Sequence, residues 1–140
     1  MINTESLVRV TVHVNRKPGT TEDEFNKYWS YNHGPLALDW LTRNGVIKYT
    51  QFHTPSEWKA HGKKMSDATG RPMFAFDGSA DFYVRKYEDF EACFLDPHYE
   101  KVIKPDEQKL IDMETIAVTI GYEYVMIEDG KAFTAHERTV

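Results

Sequence analysis

The chain has a single cysteine, Cys93, in 140 residues, which excludes an intrachain disulfide and a multi-thiolate metal site. It also lacks an apolar run near the ~20 residues that a membrane-spanning helix needs. The first residues show neither the basic nor the apolar segment of a secretory signal. A formal net charge of -5 without a basic stripe disfavours a nucleic-acid partner. We therefore expect a cytoplasmic protein with no membrane or nucleic-acid partner.

Metal-ligand spacing is also absent, since no two of the six histidines stand four residues apart. A metal held across two strands by His13 and His53 remains an open alternative. Aromatic residues, by contrast, are plentiful at 14%, which favours a pocket for a flat or apolar ligand. The length is that of one domain, and we expect a single domain over residues 1–140.

Alternating side chains predict a first strand over residues 7–14. Its valines, at even positions, would face the core. The polar side chains of Arg9, Thr11 and His13 would then lie together on the other face, because side chains alternate along a strand.

The first helix has a clear start and a forced break. Thr21 followed by Glu24 forms a capping box, and Trp29 and His33 lie four apart on one helix face. Pro35 then interrupts the helix because it lacks an N–H and crowds the preceding turn. The pattern places a titratable imidazole at a helix break beside a large aromatic ring, an arrangement typical of a substrate pocket.

The remaining patterns complete two β-α-β halves. Strands are predicted over residues 46–53, 79–85 and 115–127, helical segments over 87–95 and onward to 112, a lid over about 54–78 and a polar tail over about 128–140. Within the lid, residues 56–68 suggest a helix anchored by Trp58 and Met65. The order predicts an α+β class, namely a ferredoxin-like β-α-β-β-α-β domain.

Two helices cover only one face of such a sheet. The face left open is expected to carry Arg9, Thr11, His13, Tyr49, Gln51, His53, Asp81, Tyr83 and Arg85. This mixture of charges and aromatic rings suits neither solvent nor a dry core. We expect two sheets to pack together as a homodimer, a dimeric α+β barrel with a semi-polar pocket in each half. The alternative is a monomer with an exposed amphipathic face.

Three motifs carry a family resemblance: residues 16–25, Tyr28-Trp29 with His33-Gly34-Pro35-Leu36, and residues 49–55. With them, the chain resembles the EthD family of dimeric α+β barrel proteins over residues 7–124. Lys104-Pro105-Asp106-Glu107 also fits. The most similar group is the small fungal decarboxylases of anthraquinone pathways, which convert atrochrysone carboxylic acid to atrochrysone and CO2.

The resemblance implies a cofactor-free decarboxylase acting on an aromatic polyketide β-keto acid. Loss of CO2 leaves an enolate, so a donor is needed at the keto oxygen and a proton at carbon, both within reach of an imidazole with a pKa of ~6.5. We predict His53 as the acid, with Tyr49 and Gln51 as supporting donors. His33 is the predicted second relay, and His13 is a third candidate.

The predicted substrate-binding residues are Arg9, Trp29, Gln51, Phe76, Asp81 and Tyr83. The aromatic members would stack on the rings. Arg9 would stabilise phenolate or enolate oxygens, or would instead balance Asp81 or Glu123 across strands. Three other functions stay open: a cofactor-free polyketide cyclase or isomerase, a non-catalytic EthD accessory protein, and a haem-binding member of the barrel superfamily.

Overall fold

The computed structural model describes residues 2–138 and contains a four-stranded antiparallel sheet in the order β2-β3-β1-β4. Its strands are Val8–Val14 (β1), Val46–His53 (β2), Gly78–Val84 (β3) and Ala117–Gly121 (β4). Two short strands, Ile127–Glu128 (β5) and Lys131–Ala132 (β6), form a separate hairpin. The predicted α+β ferredoxin-like class is confirmed.

The helices are Glu22–Tyr28 (α1), Gly34–Arg43 (α2), Ser56–Thr69 (α3), Tyr87–Leu95 (α4) and Lys104–Leu110 (α5). The predicted capping box at Thr21 is present. Pro35 and Pro105 each stand second in a helix, where the fixed φ of proline suits the first helical turn. Within residues 2–138, no helix combines the length and apolar character needed to cross a membrane.

The predicted break in the first helix is a π-helical turn, Trp29–His33, in which the Gly34 N–H reaches back to the Trp29 carbonyl. A second π turn, Tyr99–Ile103, precedes α5 in the same way. Such single π turns are frequent at functional sites. Each ends immediately before a Gly-Pro or Lys-Pro pair, so the two helical segments carry equivalent breaks.

The core lies between one face of the sheet and the helices α1, α2, α4 and α5. Trp40 is nearly inaccessible, and its Nε1–H donates to the carbonyl oxygen of Cys93 at 2.6 Å. Cys93 is itself fully buried, and burial raises the pKa of its thiol to about 11. The thiol therefore stays protonated and acts as a packing residue.

The last long strand is shorter than predicted. The sequence suggests a strand over residues 115–127, but β4 ends at Gly121. Beyond it, the Val125 N–H donates to the buried carboxylate of Glu5 at 2.8 Å instead of to a neighbouring strand. The tail predicted only as polar then forms the β5–β6 hairpin, whose two turn residues, Asp129 and Gly130, both have positive φ.

The lid contains the predicted helix, but the predicted anchors are wrong. Trp58 and Met65 are 60% and 62% exposed, and no residue of Ser56–Thr69 is buried. Polar contacts hold α3 instead: the N–H and hydroxyl of Ser56 each donate to the Glu22 carboxylate at 2.6 Å. The lid is therefore attached at its N-terminal end, with its apolar side chains facing outward.

Candidate functional site

A β-bulge near the start of β2 decides which side chains of that strand reach the core. Val46 pairs with Val84, whereas Lys48 pairs with the adjacent Tyr83, so β2 contains one extra residue there. An extra residue reverses the alternation of side chains beyond it. Strict alternation from the buried Val46 would put Tyr49 on the open face. The bulge turns it toward the helices.

The prediction that Tyr49, Gln51 and His53 share the open face with His13 is therefore wrong. Tyr49 lies opposite Phe82, its ring stacked on that of Phe82 at 5.1 Å between centroids. Gln51 and His53 follow on the same side. All three side chains lie under the helices, where they meet the π turn at Trp29–His33.

A cavity of about 240 Å³ lies between the sheet and the helices. Its apolar walls come from Val12, Ala37, Trp40, Leu41, Phe82, Phe90, Phe94, Ile116 and Val118. Four side chains give it polar character: His33, Tyr49, Tyr99 and Glu107. An apolar cavity with a few converging polar groups is the usual form of a small-molecule site.

Tyr49 is held by a directed chain of hydrogen bonds. The amide nitrogen of Gln51 donates to the Trp29 carbonyl oxygen at 2.9 Å and to the Tyr49 hydroxyl at 2.8 Å. A carbonyl can only accept, so the Gln51 orientation is fixed and the Tyr49 oxygen accepts. The phenolic proton is thus free to point into the cavity. Burial raises the pKa of Tyr49 and keeps it neutral.

His53 supports this chain from outside the cavity lining. Its Nε2–H donates to Gln51 Oε1 at 2.9 Å and its Nδ1 lies 2.8 Å from the side-chain amide of Asn26, so both ring nitrogens are engaged by protein groups. The ring also packs on Trp29, with centroids 4.8 Å apart. Burial lowers the pKa of His53 and favours the neutral ring. This geometry favours a positioning role over that of the acid.

His33 forms a buried pair with Asp106, the second residue after the Lys104 that opens α5. Its Nδ1 lies 2.8 Å from Asp106 Oδ2, and the Tyr28 hydroxyl donates to Asp106 Oδ1 at 2.5 Å. Burial alone would raise the pKa of Asp106, but the hydrogen bonds from Tyr28 and His33 outweigh it and lower the pKa. The carboxylate orients the imidazole and leaves Nε2 for proton exchange.

Glu107 follows directly on α5 and lines the cavity. The Tyr99 hydroxyl donates to Glu107 Oε1 at 2.8 Å. Burial raises the pKa of Glu107, and the Tyr99 hydrogen bond offsets that only in part. The pKa values of these adjacent carboxyl groups are therefore shifted in opposite directions, down for Asp106 and up for Glu107.

Sequence reasoning missed Tyr28, Tyr99, Asp106 and Glu107. The available signal was the second proline break at Lys104-Pro105, which matches the break at Gly34-Pro35. Lys104-Pro105-Asp106-Glu107 supports the family resemblance in the sequence, but its spacing assigns these residues no role in a site. A π turn precedes each proline break, and both π turns contribute a side chain to the same cavity, His33 from the first and Tyr99 from the second.

The other predicted site residues lie on the opposite side of the sheet. Arg9 pairs with Asp81 at 3.3 Å and with Glu123 at 3.1 Å, the alternative arrangement considered for it. The Tyr83 hydroxyl also donates to Glu123 at 3.0 Å. His13 contacts the Phe76 ring at 5.2 Å. The structure thus brings Trp29, His33, Tyr49, Gln51 and His53 together and separates them from Arg9, His13, Phe76, Asp81 and Tyr83.

The cavity side offers groups for proton transfer: an imidazole on an ionised carboxylate, a neutral phenol and a carboxyl group of raised pKa. Titratable groups whose surroundings separate their pKa values are typical of acid–base catalysis. Across residues 2–138, no three His, Cys, Asp or Glu side chains are grouped as metal ligands. The fold and site define a ferredoxin-like α+β domain with an acid–base cavity.

Residues 17–114 match the family model described as the EthD domain. The match covers more than half of the chain, and the protein belongs to the EthD family. The stretch includes α1, both π turns and every polar residue that lines the cavity.

Two curated relatives share 28% identity with this chain. A conidial pigment biosynthesis dehydratase of Metarhizium robertsii aligns over 127 residues, which is 91% of this chain and 89% of the relative. The decarboxylase claH of Passalora fulva aligns over 116 residues, 83% of this chain and 75% of the relative. The family members that resemble this chain thus include proteins named for two lyase reactions.

Among solved structures, an EthD-like protein from Ralstonia eutropha superposes with a TM-score of 0.59 at 21% identity, covering 88% of this chain and 96% of that one. An EthD family protein from Bacillus halodurans gives a TM-score of 0.52 at 16% identity, covering 84% and 99%. These similarities establish the shared fold.

Proposed function

We propose that this protein is a cytoplasmic, cofactor-free decarboxylase of an aromatic polyketide β-keto acid, with atrochrysone carboxylic acid as the candidate substrate. The observation that carries the proposal is that His33, paired with Asp106, lines the same apolar cavity as Tyr49. The family membership and the relatives named decarboxylase support it.

The chemistry follows from these groups. When the C–C bond breaks, its electron pair moves toward the keto oxygen and CO2 leaves, so the ketone itself accepts the electrons. The Tyr49 O–H stabilises the enolate oxygen, where charge develops in the transition state. His33, protonated from solvent and stabilised by Asp106, then gives one proton to carbon. The net reaction consumes one proton and releases one CO2.

A dehydratase is the second candidate, favoured by the same His33–Asp106 pair and by relatives named dehydratase. Here His33 Nε2 would remove a proton next to the ketone and pass it to the hydroxyl on the β-carbon, which would leave as water as the C=C bond forms. Both reactions pass through an enolate at the same oxygen. They differ in whether His33 first donates or first accepts the proton.

The test is to incubate the purified protein with the β-keto acid and with a β-hydroxy ketone of the same ring system. We expect CO2 and the decarboxylated ketone from the first substrate, and loss of this activity in His33→Ala. His13→Ala is the matched control, because that histidine lies across the sheet from the cavity, and it is expected to retain activity. Water elimination alone would select the dehydratase.

We further propose, as the partner, a second copy of this chain packed against the open face. Support comes from large apolar side chains that stand exposed there and on the adjoining lid, Phe52 at 64% and Phe74 at 70%. Exposed apolar patches of this kind mark interaction surfaces. Sedimentation velocity would show a dimer, and a monomer at all concentrations would contradict this part.

A further inference from the structure

The reaction outlined above assigns no role to Glu107, although this carboxyl group lines the cavity. We propose that Glu107 is a second catalytic hydrogen-bond donor, a neutral carboxylic acid that binds the enolate oxygen together with Tyr49. This inference rests on the proposed lyase function and adds to it the pair of groups that holds the developing charge.

Among residues 2–138, the hydrogen bond of the Glu107 carboxyl engages Oε1 and leaves Oε2 available. Oε1 accepts the Tyr99 hydroxyl at 2.8 Å. A hydrogen bond to one oxygen fixes the plane of the carboxyl group and favours the proton on the other, Oε2. The side chain lines the same cavity as Tyr49.

The titratable groups around Glu107 come from four elements: His33, Tyr49, Tyr99, Lys104 and Asp106. Burial has the largest effect and raises the pKa of Glu107, and the negative charge of Asp106 acts in the same direction. Tyr99, His33 and Lys104 act in the opposite direction, but the pKa stays above its ordinary value. Burial and Glu107 likewise raise the pKa of Tyr99, which therefore donates as a neutral phenol.

A protonated carboxyl beside a tyrosine is an effective pair for an enolate oxygen, because neither donor carries charge in the ground state and both strengthen as charge develops. Loss of CO2 needs no electron acceptor outside the substrate. The substrate carboxylate leaves as CO2, its electron pair becomes the enolate, and Tyr49 and Glu107 each share a proton with the oxygen without losing it. The proton for carbon comes from His33.

The experiment measures kcat against pH for the full chain. Activity needs protonated Glu107, so wild type should lose kcat as pH rises through the raised pKa. Glu107→Leu should lower kcat about 10²–10³-fold, the usual cost of one such donor. Glu107→Gln keeps an N–H donor that cannot ionise, so it should lose only about tenfold, and its pH profile should lack the Glu107 contribution. Tyr99→Phe should move the limb to higher pH.

Glu100→Gln is the matched control, since this exposed glutamate lies next to Tyr99 in the π turn before α5 and outside the cavity lining, and its profile should equal that of wild type. An unchanged kcat in Glu107→Leu, or a pH profile of Glu107→Gln identical in shape to that of wild type, would overturn the proposal. Infrared spectroscopy of the unliganded protein gives a readout independent of turnover. At neutral pH we expect a protonated carboxyl band that Glu107→Gln removes; its absence in wild type also overturns the proposal. A wild type without lyase activity but with the band would instead contradict the proposed function.

Discussion

The two faces of the sheet carry similar residues in opposite arrangements. On the open face, the guanidinium of Arg9 neutralises Asp81 and Glu123. On the cavity face, the hydrogen-bond partners of Asp106 and Glu107 are a histidine and two tyrosines, groups that donate or exchange protons, and the amine of Lys109 lies farther from Asp106, at 3.7 Å. Carboxylates next to a permanent cation form a structural network, whereas carboxylates next to titratable groups can support catalysis.

The largest expected effect comes from Asp106→Asn. The amide keeps the side-chain shape but no longer stabilises a charged His33, so kcat should fall about 10²–10⁴-fold, as for loss of a general acid–base group. Thermal denaturation would check that the fold persists. Asp81→Asn makes the same change on the open face, and a comparable loss there would contradict the contrast between the faces.

Tyr49→Phe should lower kcat about 10²–10³-fold, because it removes one donor to the enolate oxygen and little volume. The variant keeps the aromatic stack on Phe82. Tyr83→Phe is the matched change across the sheet, at a phenol whose pKa burial raises to about 12. Equal kcat values for the two variants would show that the Tyr49 hydroxyl has no role in the reaction.

His53→Ala should have a smaller effect, about tenfold on kcat with KM nearly unchanged, since His53 acts on Tyr49 only through Gln51. Steady-state kinetics separates the two constants. If His53 is the acid itself, as the sequence suggests, the loss would instead match that of Asp106→Asn.

The smallest effect concerns stability. The pKa of Asp106 is lowered in the folded protein, so its stabilisation is fully present above the unfolded pKa of ~3.9 and is lost as pH falls through the folded value. Urea unfolding across this acid range should therefore show that the free energy of unfolding falls more steeply with decreasing pH in wild type than in Asp106→Asn. Parallel curves of unfolding free energy against pH for the two proteins would indicate that Tyr28 and His33 do not stabilise the Asp106 carboxylate.

Local patterns predicted much of the fold, because each needs only neighbours in the chain. Thr21 and Glu24 gave the start of α1, and the valines of β1 gave its buried face. The site depends on longer-range features. One extra residue between Val46 and Lys48 exchanges the faces on which the later side chains of β2 lie. The His33–Asp106 pair joins residues 73 positions apart. Neither follows from periodicity, so His33 and Tyr49 could be predicted as site residues but their partners on α5 could not.

The most direct test of the central claim is a crystal structure of the protein with the decarboxylated ketone bound. The account predicts the ketone in the cavity, with its oxygen within hydrogen-bonding distance of the Tyr49 hydroxyl and the reacting carbon next to His33 Nε2. A ketone bound instead on the open face, against Arg9 and Tyr83, would contradict it.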